Sequence, residues 1–170
     1  MRNELLENLF QHSSWANQKL FAMLSELPDD ALSLTGWNPD WSVGKLANHI
    51  VFAQARMIGR ANGEAAKDEP EMPFTAEGMK ALARKALEND LKVRELLDFE
   101  NQLMTFSRLG VEVQHMRATI VAQIVHHSTE HRTQISDILA MNKMDLINLD
   151  TMDLWSFESS KNQKRLTNLF

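Results

Sequence analysis

At 170 residues the chain has the length of one domain, enough to bury about 70% of its unfolded surface without covalent staples. A formal net charge of −5 withholds the broad positive field that nucleic-acid binding needs. The absence of cysteine removes disulfides, thiolate-ligated zinc and a protein-borne thiol nucleophile together, and points to a reducing cytoplasm.

Met1 to Leu5 opens an amphipathic pattern instead of a signal peptide, and no apolar run is long enough to span a bilayer. Glu4 to Leu27 reads as a first helix, with Leu5, Leu6, Leu9, Phe10, Trp15, Leu20, Phe21, Leu24 and Leu27 at near-helical spacing and Pro28-Asp29-Asp30 to end it. His12 and Asn17 are its polar residues of interest, and His12 either faces a site or is a buried, hydrogen-bonded histidine. Asp29 to Asp40 is rich in turn formers, and Trp37 and Trp41 are expected to cover one end of the core. Ser42 caps a second helix running to Asn62, with Leu46, Ile50, Phe52, Ala53, Met57 and Ile58 as its buried stripe and His49 among them. Asn62 to Phe74, with Gly63, Pro70 and Pro73, is long for a bundle turn and reads as a crossover.

Thr75 caps a third helix to about Glu100, apolar at Met79, Leu82, Ala83, Ala86, Leu91, Leu96 and Leu97. Its Lys80, Arg84, Lys85, Lys92 and Arg94 interleave with Glu88, Asp90 and Glu95, which makes it a solvated, structural helix. Asn101 to Met116 alternates loosely around Leu109-Gly110, as a short hairpin-like arm or an irregular crossover, and ends at an exposed His115. A fourth helix runs from Ala118 to Met141, with Ile120, Ile124, His127, His131, Ile135, Ile138 and Leu139 as its inward stripe. Met152 to Phe157 forms a last short helix before a frayed polar tail with Lys161, Lys164 and Arg165. Four long helical patterns, no internal repeat and no convincing strand run predict an all-α fold, a single four-helix bundle over residues 1–170.

The chemistry concentrates on the fourth helix. His127 and His131 are i and i+4, roughly 40° apart around the axis and one turn apart along it, so one ion can bridge them. Zinc and nickel accept imidazole nitrogen, and two unpaired imidazoles on an apolar face would be costly to bury. A third nitrogen has to come from elsewhere, and His49 is the best donor. That predicts a three-histidine metal site between two helices, with a coordination position left for water or substrate. His126 lies about 100° from His127 and cannot share the ion without distortion. His127 to His131 also spells the H-x-x-E-H string of inverted zinc proteases. Those need an acidic ligand well downstream, where the only glutamate is Glu158 in the predicted tail, so the peptidase reading is set aside. Glu130 stays as the catalytic candidate, against the alternative of a solvated residue paired with a nearby Lys or Arg.

Four stretches together resemble the DinB/YfiT-like family of metal-dependent proteins over nearly the whole length. They are Leu9 to Asn17 with its Trp15-Ala16-Asn17, Leu46 to Ile50 around His49, the His127-x3-His131-Arg132-x-Gln134 string, and Leu149 to Trp155 with Asp153-Leu154-Trp155. The resemblance implies an up-down-down-up bundle, metal on His49, His127 and His131 with water completing the shell, zinc or nickel as the occupant, and a homodimer. It implies a small-molecule substrate, since similar members include transferases that use low-molecular-weight thiols and a thiol-dependent isomerase. Thr133 stands where the family commonly has glycine. For a transferase, the sulfur arrives with the cosubstrate, and His12, Asn17 and Trp155 are the candidates to line its pocket. The alternatives are a metal-dependent small-molecule hydrolase and a non-catalytic metal-binding stress-response protein that dimerises through helices.

Overall fold

The computed structural model describes residues 4–65, 70–108, 110–144 and 146–167, with the side chains of 163–167 left out. Along it run helices α1 (Glu4–Leu24), α2 (Val43–Ala61) and α3 (Ala76–Leu96), strands β1 (Leu103–Arg108) and β2 (Val111–Met116), then helices α4 (Arg117–Met141) and α5 (Leu154–Thr167). The starts of α2 and α3 follow from their caps. Ser42 Oγ accepts the Lys45 N–H at 3.3 Å, and Thr75 Oγ1 accepts the Gly78 N–H at 3.1 Å. No helix among the described residues is long and apolar enough to cross a membrane.

The first four helices pack in a ring, α2 against α4 and α3, and α1 against α3 and α4. Their apolar residues fall into two clusters. One joins the C-terminal halves of α1 and α4 to the N-terminal halves of α2 and α3, through Leu20, Phe21, Leu24, Leu46, Ile50, Met79, Leu82, Ile135 and Leu139. The other joins the opposite halves, through Phe10, Met57, Ile58, Val93, Leu96, Ile120 and Ile124. Along every helix a polar stretch separates the two. His12, Ser13 and Asn17 fall there on α1, Gln54 on α2, Asn89 on α3, and Ser128 and Arg132 on α4, all buried. Such a layer is costly without partners, and most of these groups have them, though Ser128 Oγ has none among the described residues.

The fold departs from an all-α bundle at residues 103–116. The arm is an antiparallel hairpin with Leu103 opposite Met116 and Phe106 opposite Val113. Gly110 sits at φ 78° in its turn, a conformation that side chains disfavour. Met104 enters the second cluster, which anchors one face of an otherwise wet ribbon. Arg117, buried at the foot of the hairpin, donates Nε–H to the Ala61 carbonyl at 2.8 Å and Nη1–H to the Glu100 carbonyl at 3.0 Å. It ties together the end of α2, the entry to β1 and the start of α4.

Other expectations also change. The chain after Met152 is no frayed tail but the 14-residue helix α5, whose Phe157 is buried against Trp15 and His12. α3 stops at Leu96, short of Glu100, and its Leu91 is exposed. Trp37 does not cover the core, being 93% exposed. Leu109 and the side chains of Lys164 and Arg165 lie outside the described residues.

Candidate metal centre

α2 contributes His49, and α4 contributes His127 and His131. Their rings turn inward on a common point: His127 Nε2 lies 3.1 Å from His49 Nε2 and 3.0 Å from His131 Nε2. All three ligand atoms lie within 4.8 Å of one another, so the group could hold a metal ion. Tetrahedral zinc with bonds of about 2.0–2.1 Å needs its nitrogens about 3.3–3.4 Å apart, so the rings would open by a few tenths of an ångström to admit it. The donor set, three imidazoles and no thiolate, suits zinc or nickel.

Neighbouring groups fix the rings. His131 Nδ1–H donates to Gln134 Oε1 at 2.6 Å, which leaves the Nε2 lone pair aimed at the shared point. Trp41 meets His49 edge-on at 4.9 Å between centroids and stacks on His131 at 6.2 Å and 16°. Its loop is pinned at both ends. Thr35 and Ser42 form an isolated antiparallel bridge, and Asn142 Nδ2–H donates to the Thr35 carbonyl at 3.1 Å.

Burial pushes the His49 imidazole down to about 4, with the charges of His131 and Arg56 adding to the effect. Burial pushes His127 down to about 3, reinforced by His131, His49 and Arg56. Both rings are therefore neutral at pH 7, the state a metal requires.

Two open grooves flank the three rings, and Trp41 lines both. One, of about 400 Å³, runs past His131 and Gln134 between Trp37, Leu46, Ile138 and Met141. The other, of about 350 Å³, runs past His49 and Phe52 between Lys45, Arg56, Asp40 and Glu71.

The remaining site candidates stand elsewhere. His12 Nε2 is 2.7 Å from the Met152 carbonyl, and its ring packs against Trp15 and Phe157. Burial, as the largest cause, lowers its pKa. Asn17 Oδ1 accepts from Arg132 Nη1 at 2.7 Å, inside the polar layer. Trp155 is 83% exposed and lines a separate hollow with Trp15 and Lys19. None of these three lines either groove beside the histidines. Glu130 is exposed and lies 3.4 Å from His126 Nδ1, so its partner is a histidine and not the Lys or Arg expected.

The sequence profile of the DinB family matches residues 1–141. The chain belongs to the DinB family. A crystal structure of a DinB-like protein from Bacillus cereus is 17% identical in sequence, with a TM-score of 0.64, and the match covers 86% of this chain and 97% of that one. At that identity the likeness speaks for the fold. No curated protein matches the chain. For this DinB-family chain the profile takes in all three histidines and stops at the end of α4, so α5 lies beyond it.

Sequence reasoning missed Trp41 and Arg56 as neighbours of the site and gave Gln134 no role. Gln134 had a signal: it follows His131 by three residues, which puts both on one helical face. Arg56 had one as well, two turns beyond His49 on α2. Trp41 had none, because the closure of its loop is a tertiary event.

Proposed function

We propose that this DinB-family protein is a metal-dependent enzyme that transfers a low-molecular-weight thiol to an electrophilic small molecule. The observation that carries the reading is the convergence of three imidazole nitrogens, with His131 lining one groove and His49 a chemically different one. His49, His127 and His131 would hold zinc or nickel, which when bound lowers the pKa of a thiol and keeps it as the nucleophilic thiolate. Gln134 holds the His131 ring in register. Trp41 covers two of the rings and limits the approach of water. The groove between Trp37, Leu46, Ile138 and Met141 offers an apolar acceptor a surface beside His131. No cysteine competes for the acceptor, since the chain has none.

The same reading includes a single domain over residues 1–170 with its helices in up-down-down-up order. Each apolar cluster joins like ends of α2 and α3 to the opposite ends of α1 and α4, which supports that order. It also includes a cytoplasmic homodimer, for which the exposed Leu87 and Leu91 on α3 offer an apolar strip. Light scattering of the wild type and of a Leu87→Glu, Leu91→Glu variant tests the dimer.

The test of function is a panel of thiols with an electrophilic acceptor, run with the metal-loaded and the chelated protein. Conjugation that needs both metal and thiol is expected. Metal-dependent turnover without any thiol would move the protein to the hydrolases. No turnover with any combination would leave a metal-binding protein without catalysis.

A further inference from the structure

Among the described residues, Arg56 is the one guanidinium lining either groove beside the histidines. On α2 the residues His49, Phe52 and Arg56 fall at i, i+3 and i+7, and all three line the same 350 Å³ groove. The Arg56 side chain is half-buried, yet among the described residues no hydrogen bond or ion pair engages it. The other cation in the groove, Lys45, already donates to the Asp40 carbonyl at 3.0 Å. The carboxylates of the groove, Asp40 and Glu71, are exposed and make no ion pair with Arg56. A guanidinium presents a planar fork of donors that matches a carboxylate two bonds at a time.

The electrostatics agree. Arg56 lines the same groove as His49, so its charge lies beside the centre. Three neutral imidazoles leave the charge of a divalent ion uncompensated, and Arg56 adds another positive charge nearby. The site therefore favours a ligand that brings negative charge at two places, the sulfur and a second group further along. At a rise of about 1.5 Å per residue, the backbones of His49 and Arg56 are about 10 Å apart, a span that a flexible chain of several atoms bridges between the two side chains.

We infer that Arg56 anchors the carboxylate of an anionic thiol whose sulfur meets the three histidines, an inference that rests on the proposed transferase reading. The cobalt-substituted protein tests it through the visible absorption of the metal, with 6-mercaptohexanoate and 6-mercaptohexanol as probes. The wild type is expected to bind the carboxylate thiol about tenfold more tightly than the alcohol, the scale of one charge-assisted hydrogen bond. Arg56→Gln should bring the two affinities together with cobalt content unchanged, and Arg56→Lys should keep part of the preference. Equal affinities in the wild type, or an undiminished preference in Arg56→Gln, would overturn the assignment. If neither thiol perturbs the cobalt spectrum, the thiol reading fails on its own account. Calorimetry with adipate, which has no sulfur, then decides Arg56 separately. Weaker binding in Arg56→Gln upholds the anion site, and equal binding in both proteins refutes it.

Discussion

α4 carries two polar pairs a single residue out of step, and they behave in opposite ways. Ser128 and Arg132 point to the middle of the bundle and are 1% and 4% exposed. His127 and His131 sit on the shoulder of the same helix, half-buried, beside the open grooves. Arg132 is a buried cation with fixed partners: Nη1–H donates to Asn17 Oδ1 at 2.7 Å and Nη2–H to Thr129 Oγ1 at 2.9 Å. Burial pulls its pKa down to about 10, which still leaves it charged at neutral pH. The histidines have no such closure, since their Nε2 atoms face one another. Depth in the core thus marks the structural pair, and converging lone pairs at an accessible edge mark the candidate functional one.

The sharpest way to break that comparison is to remove one member of each pair. The wild type is expected to hold about one divalent ion per chain and His127→Ala to lose it, because two imidazoles cannot replace three. Metal analysis after dialysis reads this directly, and equal metal in variant and wild type would end the assignment. Its urea midpoint without metal should stay close to wild type. For the structural pair the order reverses, with unchanged metal content and a large loss of stability. Asn17→Leu removes the buried acceptor from Arg132 and should cost about 3–5 kcal/mol. Arg132→Met orphans neutral groups only and should cost about 1–3 kcal/mol. The double variant should be more stable than Asn17→Leu alone, a coupling that urea denaturation measures.

This shoulder-versus-centre distinction explains what the sequence could reveal. The spacing of His127 and His131 named two candidate ligands, and His49 followed because such a pair needs a partner and the apolar stripe of the second helix carries this histidine. The same 3.6-residue pattern put the histidines in the inward stripe and left out Ser128 and Arg132, because hydrophobic periodicity assigns a buried arginine to the surface. Thr129 on the same helix and Asn17, 115 positions earlier, make its burial tolerable, and no local pattern announces so distant a partner as Asn17. The hairpin was half-visible for a related reason. Residues 103–116 alternate weakly because Met104 is the residue of β1 that reaches the core. α5 was underestimated because residues 158–165 are all polar, while burial of Phe157 against α1 holds the helix.

A smaller effect is expected one step out from the ligands. Gln134→Ala frees the His131 ring to rotate and to change tautomer, and should weaken metal binding by about 10–100-fold without abolishing it. A competition titration against a chromophoric chelator reads the change. Full affinity would mean that Trp41, stacked on the same ring, is enough to orient it.

The smallest predicted effect tests whether the polar layer is structural throughout. Asp90 on α3 accepts from Gln54 Nε2 at 2.7 Å through Oδ1, while Oδ2 is buried without a hydrogen-bond partner. Burial raises its pKa, and hydrogen bonds from Ser14 and Gln54 only partly offset the rise. The folded protein therefore holds this proton at a pH where the unfolded chain has released it. Stability from this group is present below the unfolded value, about 3.9, and is lost as pH rises through the higher folded value. Once ionised, the buried carboxylate is a net cost. Asp90→Asn keeps the oxygen that Gln54 needs and removes the charge, so it should stabilise the protein by about 0.5–1 kcal/mol at pH 7. That gain should shrink as the pH falls toward 4. Urea midpoints at both pH values check it. A loss of stability at pH 7 would mean that the carboxylate answers a positive charge in the layer, and Arg132, the buried cation of α4, would then be the first to examine.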